Sequence, residues 1–322
     1  MTDKFLIILS PPRSFSSVVS TMVGQHPQLY GFPELHLFIG DTVQEVLDRE
    51  YRAGNIFGPP GVLRTLAQLL FGYQTNATII KSIGWLAERR HWSTKRLMDF
   101  LLDQVDPLIG MEKSPVTAMH ALWIERTYAF YPNAYYLHLT RHPVATRKSM
   151  DEFIARRQQI RQRKHLHHWR DGRPYDSLFM WYRFHKNILD FTRTLPTAQT
   201  MRIKGEDVLS DPDLYLPQIC EWLGIRSDRE AIASMKHPEL SPYAYRGPSL
   251  AAGGNDGNFM QSPALRAGRI KVPSLAAMLQ QEPPSWVSAD ERERLQLAGY
   301  QLAPSASIIE KLTGLAQSLG YL

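Results

Sequence analysis

Residues 5–27 read FLIILSPPRSFSSVVSTMVGQHP, and this stretch decides the fold class. Its first part, Phe5 to Leu9, is an unbroken apolar run of the kind that forms a central strand of a parallel sheet, and Pro11 and Pro12 end the run. Serines follow where the next helix begins, so their hydroxyls and the backbone N–H groups of the first turn face the same way. The pattern predicts a strand, an anion-binding loop and a helix.

The anion that suits this loop is a phosphate or a sulfate. Arg13 carries a permanent positive charge, and the start of a helix carries a partial one. The candidate ligand-binding residues are Arg13, Ser14, Phe15, Ser16 and Ser17. An ordinary βα unit with a serine cap has the same pattern, so a second feature is needed to decide.

A second anion site is predicted near residue 141. YYLHLT at 135–140 is another apolar strand, and Arg141 follows it directly. Pro143 is suited to the first turn of a helix, which places Ser149 inside that helix and leaves Arg141 in the loop before it. Together Arg141 and Ser149 are suited to bind a second phosphate.

Taken together, these motifs resemble a known enzyme family. PPRSFSS resembles the 5′-phosphosulfate loop of sulfotransferases that use 3′-phosphoadenosine 5′-phosphosulfate (PAPS), and the spacing of Arg141 and Ser149 resembles their 3′-phosphate motif. Glu34 and His36 resemble the Glu-x-His pair of the heparan-sulfate branch, and EKS at 112–114 resembles that branch's EKS/EKT motif. The GED segment at 205–207 and the GND loop at 254–256 show a weaker similarity to β-hydroxyacyl sulfotransferase domains of polyketide pathways.

The resemblance implies a role for each site residue. PAPS is then the co-substrate, 3′-phosphoadenosine 5′-phosphate (PAP) is its product, and no metal takes part. Arg13 stabilises charge on the bridging oxygen, while Lys113 contacts the transferring sulfate or the acceptor. Glu34 is the base by resemblance, but His36 is equally suited on chemical grounds, because histidine titrates near neutral pH. The choice between Glu34 and His36 stays open at this point.

Three positions differ from the family pattern. Phe15 stands where many members have glycine, and we expect this bulky residue to shift the loop. Arg13 stands where cytosolic members have lysine, and both side chains are cationic. Gly268 and Arg269 weakly resemble the Gly-Arg of a 3′-phosphate loop, which adds Arg269 to the candidate nucleotide-binding residues, although Ala267 replaces the expected lysine.

The composition is that of a globular protein with a basic surplus. The chain has 322 residues, a net charge of +6 and a pI near 9.3, which suits an anionic ligand. Cys220 is the only cysteine, so no disulfide within the chain is expected. The first apolar run is too short for a membrane span. We therefore expect a cytoplasmic protein without a membrane or nucleic-acid partner.

Alternation of short strands with helices predicts an α/β fold with a parallel sheet flanked by helices, and the resemblance implies that this is the P-loop-like sulfotransferase fold. We predict one sulfotransferase domain over 1–322, with a core at 1–225 and a covering loop with helices at 226–322. Strands are predicted at Phe5–Leu9, Thr78–Lys81, Tyr135–Thr140 and Thr200–Lys204. Helices are predicted near Ser16–Gln25, Val62–Phe71, Thr94–Gln104, Pro115–Phe130, Ser177–Thr194 and Leu214–Leu223.

Two segments stand outside this alternation. Arg156–Arg173 is rich in arginine and histidine, and it is either a solvated helix face or a basic rim that attracts an anion. No nearby carboxylate or cysteine completes a metal site with its histidines, so none is expected there. Pro238–Pro263 is rich in proline and glycine, and it either covers the acceptor or wraps the surface.

Two other functions compete with sulfuryl transfer. A P-loop kinase or NTPase needs G-x-x-x-x-G-K-[ST], and SPPRSFSS has neither the glycines nor the lysine. A non-catalytic protein that binds PAPS or PAP would retain the same loops. For an enzyme, the expected acceptor is the hydroxyl of a β-hydroxyacyl chain on a carrier protein or of a free small-molecule alcohol.

Overall fold

The computed structural model describes residues 5–163, 177–266, 268, 270 and 306–322, with backbone only for 156–163 and 306–308. Its five strands form one sheet, in the order β2-β3-β1-β4-β5, and all neighbouring strands are parallel. The strands are β1 Phe5–Leu9, β2 Leu29–Gly31, β3 Ile109–Glu112, β4 Tyr135–Thr140 and β5 Thr200–Lys204. The predicted α/β fold class is confirmed.

The helices that the structure describes occur between and after these strands. They are α1 Ser16–Val23, α2 Val43–Ala53, α3 Pro60–Phe71, α4 Asn76–Glu88, α5 Thr94–Asp103, α6 Ala121–Phe130, α7 Pro143–Arg163, α8 Ser177–Thr192, α9 Gly205–Ser210, α10 Pro212–Leu223, α11 Arg229–Met235 and α12 Ala306–Ser318. None of these helices has both the length and the apolar character that crossing a bilayer requires.

The chain divides into two compact units. The first consists of Met1–Thr140 and Asn187–Ile270 and contains the whole sheet. The second consists of Arg141–Lys186 and Lys271–Leu322. Within its described residues, the ring of His142 lies edge-on to Tyr321, with 5.3 Å between the ring centroids.

Strand β1 is central because it is buried on both faces. Leu6 and Ile8 point into a cluster that includes residues of α1 and α10, while Ile7 and Leu9 are buried on the other side. Continuous apolar strands of this kind are typical of a parallel sheet covered by helices. The carboxyl ends of β1, β2 and β3 therefore meet at one edge, where ligands bind in open α/β sheets.

The predicted strand at Thr78–Lys81 is wrong, because these residues lie inside α4. Thr75 and Thr78 form a reciprocal capping box that starts this helix. The buried residues of α4 are Thr78, Ile79, Ser82 and Leu86, a spacing that follows the helical repeat and not the alternation of a strand. Local capping thus overrides the β propensity of the two isoleucines.

Other boundaries differ in smaller ways. The predicted helix at Pro115–Phe130 is a 3₁₀ turn, Pro115–Met119, followed by α6. Strands β2 and β3 were not predicted, because each has only three or four residues and includes a glycine. In β2, a Cβ on Gly31 would lie 2.9 Å from Cα of Gly24, so the glycine allows close packing beside α1.

Gly61 in α3 has a structural role that can be tested directly. A Cβ at this position would lie 2.0 Å from the backbone oxygen of Glu34, whereas a Cβ on Gly84 in α4 would meet nothing within 4 Å. We expect Gly61→Ala to lower the free energy of unfolding by roughly 1 to 3 kcal/mol. Gly84→Ala should raise it by roughly 0.5 to 1 kcal/mol, because alanine is the better helix former. Urea unfolding of both variants tests this, and a Gly61→Ala variant as stable as wild type would contradict the close packing.

Candidate active site

The loop between β1 and α1 has an unusual backbone. Arg13 and Phe15 both adopt the left-handed conformation, with φ of 67° and 60°. Such angles are uncommon outside glycine and are concentrated at functional sites. Ser14 is fully buried, and its Oγ has no hydrogen-bond partner among the described residues. No described side chain caps α1, so the loop offers hydroxyl and backbone donors that suit an anion.

Gly205, which has no side chain, leaves room for the ring of Phe15 beside this loop. Phe15 adopts the left-handed conformation that a glycine at this position would favour. A Cβ added to Gly205, the first residue of α9, would lie 2.9 Å from Cδ2 of Phe15. The aromatic ring thus occupies space that any other residue at position 205 would fill. Sequence reasoning expected a shifted loop, and the contact with Gly205 explains how the bulky side chain is accommodated.

Lys113 connects the loop to Glu34. Its ammonium group lies 2.5 Å from Glu34 Oε1 and donates to Ser17 Oγ at 3.1 Å. A third bond, at 3.3 Å, goes to Asn255 Oδ1. The lysine side chain is 0% exposed, so these three acceptors replace the water that the charge has lost. Three residues that are distant in sequence therefore meet at one cation.

His36 lies between two carboxylates. Its Nδ1 is 2.8 Å from Glu50 Oε1, and its Nε2 is 3.5 Å from Glu34 Oε2. Asn55 donates to the other oxygen of Glu50, at 2.5 Å. Glu50 was not a sequence candidate, because nothing in the sequence links position 50 of α2 to His36.

The charges in this cluster determine its protonation states. Burial opposes ionisation of Glu34, but Lys113 and His36 outweigh that effect and lower the Glu34 pKa to about 2. Burial also opposes the charged form of His36, but its bonds to Glu34 and Glu50 raise the His36 pKa to about 10. At neutral pH, Glu34 is therefore a carboxylate and His36 an imidazolium.

The segment Pro238–Pro263 reaches this cluster through its GND loop. The carboxylate of Asp256 forms an ion pair with Arg13, and its backbone N–H donates to Ser17 Oγ at 3.0 Å. Gly254 accepts a bond from the Glu34 N–H at 2.7 Å. Sequence reasoning singled out the GND segment but gave Asp256 no role. A carboxylate thus lies where the loop is suited to hold a sulfate or phosphate.

The remaining sequence candidates are Arg141, Ser149 and Arg269. Arg141 and Ser149 belong to the second unit, where Trp181 donates to the Arg141 backbone oxygen at 2.9 Å and Ser149 lies inside α7 as predicted. Arg269 lies outside the described residues, as do the side chains of Arg156–Arg173. Among the described residues, no three histidine, cysteine or acidic side chains cluster as a metal site would require.

Comparison with known proteins identifies related chains. The model of a family described as "Sulfotransferase family" matches residues 6–229. A search of curated protein sequences finds no match. The structure of the sulfotransferase domain from the curacin biosynthetic pathway is 20% identical, with a TM-score of 0.68 over 99% of this chain and 98% of that one. The sulfotransferase domain of the Synechococcus PCC 7002 olefin synthase is 23% identical, with a TM-score of 0.65 over 99% and 95%. Both comparisons show the same fold.

The raised pKa of His36 predicts how stability depends on pH. A histidine with a pKa of about 10 in the folded chain and 6.5 in the unfolded chain stabilises the fold fully below pH 6.5. That contribution is lost as the pH rises from 6.5 towards 10. We expect wild type to lose stability relative to His36→Asn over this interval, as measured by urea unfolding at a series of pH values. Parallel profiles for the two proteins would contradict the ion-pair assignment.

Proposed function

Because this chain belongs to the sulfotransferase family, we propose that it transfers a sulfuryl group from PAPS to the hydroxyl of an acceptor. One observation carries the proposal: the buried Lys113 ammonium bonds at once to Ser17 of the anion loop and to the Glu34 carboxylate. Sulfuryl transfer needs a cation beside the transferring group and a base beside the incoming hydroxyl. In this contact, a cation and a candidate base lie side by side next to the anion-binding loop.

The site residues divide the chemistry among them. The acceptor oxygen forms a bond to sulfur while the bond from sulfur to the bridging oxygen breaks, and PAP leaves. Arg13 and the donors of residues 14–17 stabilise the charge that develops on the leaving phosphate. Lys113 stabilises the sulfuryl oxygens. Arg141 and Ser149, by their sequence pattern, bind the 3′-phosphate.

Glu34 is the base in this proposal. Its carboxylate is ionised at neutral pH and therefore free of the proton that it must take from the acceptor hydroxyl, but its pairing with Lys113 and His36 makes it a weak base in the free protein. His36 is already protonated, and its two ring nitrogens face Glu34 and Glu50. It therefore holds the Glu34 carboxylate in place instead of taking the proton. We therefore propose for Glu34 the role that the sequence alone left open between the two residues.

The acceptor we propose is a β-hydroxyacyl chain that a carrier protein delivers in trans. The proposal draws on the GED and GND segments, which resemble sulfotransferase domains of polyketide pathways. A free small-molecule alcohol is the alternative acceptor. Intact-mass screening for an added sulfate, across acyl carriers and free alcohols, decides between the two.

The role of Glu34 predicts a selective loss of turnover. Glu34→Gln keeps the shape of the side chain but removes the base, so we expect turnover of PAPS to fall about a hundredfold or more. PAP affinity, measured by calorimetry, should stay close to wild type. His36→Asn should lower turnover less than Glu34→Gln, because histidine only positions the carboxylate. The assignment fails if Glu34→Gln keeps more than about half of wild-type turnover while chemistry limits the rate.

The pair between Arg13 and Asp256 predicts competition with the nucleotide. Asp256→Asn removes a carboxylate that the 5′-phosphate must displace, so we expect PAP to bind about three- to tenfold more tightly. Asp256→Glu keeps the charge and serves as the matched control. Calorimetry in the presence of EDTA measures both variants and also tests the metal-free site. Weaker binding by Asp256→Asn, or binding abolished by EDTA, would contradict this account.

A further inference from the structure

Glu112 and Ser114 form a buried chain of hydrogen bonds beneath the proposed base. Ser114 donates its hydroxyl to Glu112 Oε1, and the same oxygen accepts the backbone N–H of Leu35 at 3.4 Å. The hydroxyl oxygen of Ser114 accepts the backbone N–H of His36 at 3.0 Å. Glu112 and Ser114 are 0% and 1% exposed, so water does not compete for these bonds.

These bonds fix the backbone between Glu34 and His36. Leu35 is the residue between them, and His36 adopts the left-handed conformation with φ of 55°. A non-glycine residue persists in this conformation only where its surroundings impose it. The bond from the His36 N–H to Ser114 is one contact that imposes it, and the direction of the imidazole ring follows from that backbone.

Lys113 acts on the same segment from the other side. Successive side chains of an extended chain point in opposite directions, and Ser114 has an extended backbone with φ of −125° and ψ of 103°. Glu112 and Ser114 accordingly bond to the backbone of residues 35 and 36, whereas Lys113 pairs with the carboxylate of Glu34. Residues 112–114 thus hold both the backbone and the side chain of the segment that carries the base.

We propose that Glu112 and Ser114 are positioning residues for sulfuryl transfer. They bind the backbone N–H groups of residues 35 and 36 and so fix the relative orientation of the Glu34 and His36 side chains. We call the hydrogen bonds of Glu112 and Ser114 to the backbone N–H groups of residues 35 and 36 the clamp. Its catalytic role rests on the proposed function, but the clamp itself is a property of the free protein. Neither residue touches the reacting atoms in this scheme. They act through the orientation of the two side chains above them.

The burial of Glu112 supports a functional reason for its presence. Its second oxygen, Oε2, is buried without a hydrogen-bond partner among the described residues. Burial raises the Glu112 pKa to about 7, against the effects of Ser114, His36 and Lys113. A buried carboxyl with one oxygen unpaired destabilises the fold, so its presence needs a functional reason. Positioning the base is such a reason.

The clamp can be tested through the titration of His36. The titratable groups that act on this imidazole are Glu34, Glu50 and Glu112, and Lys113 pairs with Glu34; the raised His36 pKa depends on the alignment of the ring with Glu34 and Glu50. Ser114→Ala removes the acceptor for the His36 N–H and the donor for Glu112. We expect the His36 pKa, measured by NMR on the full chain, to fall by about one unit or more, a tenfold change in the protonation equilibrium. The His36→Asn spectrum identifies the resonance.

The same variants report on catalysis. PAPS turnover with water as the acceptor, which yields PAP and sulfate, should fall about tenfold or more in Ser114→Ala, while PAP affinity stays unchanged. Ser114→Thr keeps the hydroxyl and should restore both the His36 pKa and the turnover. Ser82→Ala is the control, because Ser82 is also a fully buried serine with a hydrogen-bonded hydroxyl, which donates to the backbone oxygen of Thr78 at 2.9 Å. It should change neither quantity.

Two results would overturn the proposal. The first is a His36 pKa in Ser114→Ala equal to that of wild type, and the second is a Ser114→Thr variant as impaired as Ser114→Ala. If Ser114→Ala does not fold, Ser114→Cys carries the same comparison, because it keeps the volume but bonds weakly. If wild type turns over no PAPS although the His36 pKa responds as expected, the proposed function fails and the clamp stands.

Discussion

The ion pair between Lys113 and Glu34 is the interaction on which the candidate site depends. A fully buried ammonium group is costly unless charged and polar partners replace its water. Here the partners come from the segment after β2, from the first turn of α1 and from the segment Pro238–Pro263, while Lys113 itself follows β3. One cation thus requires four distant parts of the chain to meet, and loss of either charge leaves the other buried without its main partner.

Strained backbone gives the site its shape. Arg13, Phe15 and His36 are the described non-glycine residues with positive φ, and all three belong to the two segments that meet at Lys113. Two of these conformations are held by identifiable contacts: Phe15 packs against Gly205, and His36 bonds to Ser114. The parallel sheet brings the ends of β1, β2 and β3 to one edge, and the left-handed residues turn the chain there.

Much of this arrangement was readable from the sequence, because the signals are local. The apolar runs at Phe5–Leu9, Tyr135–Thr140 and Thr200–Lys204 are strands as predicted, and Lys113, Glu34 and His36 lie together. The strand prediction at Thr78–Lys81 was wrong because a short apolar run is compatible with either a strand or a helix. The capping box at the start of α4 favours the helix.

What the sequence did not reveal are pairings between distant residues. Nothing near Glu50 or Asp256 marks them as partners of His36 and Arg13, since each pair forms only when separate elements fold together. The choice of base depended on such a pairing. Histidine titrates near neutral pH in isolation, but its bonds to two carboxylates raise the His36 pKa to about 10 here, and for this reason we propose Glu34 as the base.

The most direct test of the central claim is the release of PAP from PAPS by the full chain in the presence of EDTA, compared between wild type and Lys113→Met. The account predicts metal-independent PAP release by wild type and a loss of about a hundredfold or more in Lys113→Met, with PAP still bound by both proteins. Wild type that binds PAP but never releases it from PAPS would contradict sulfuryl transfer and indicate a nucleotide-binding protein without catalysis. A Lys113→Met variant as active as wild type would show that the buried cation is not part of the chemistry.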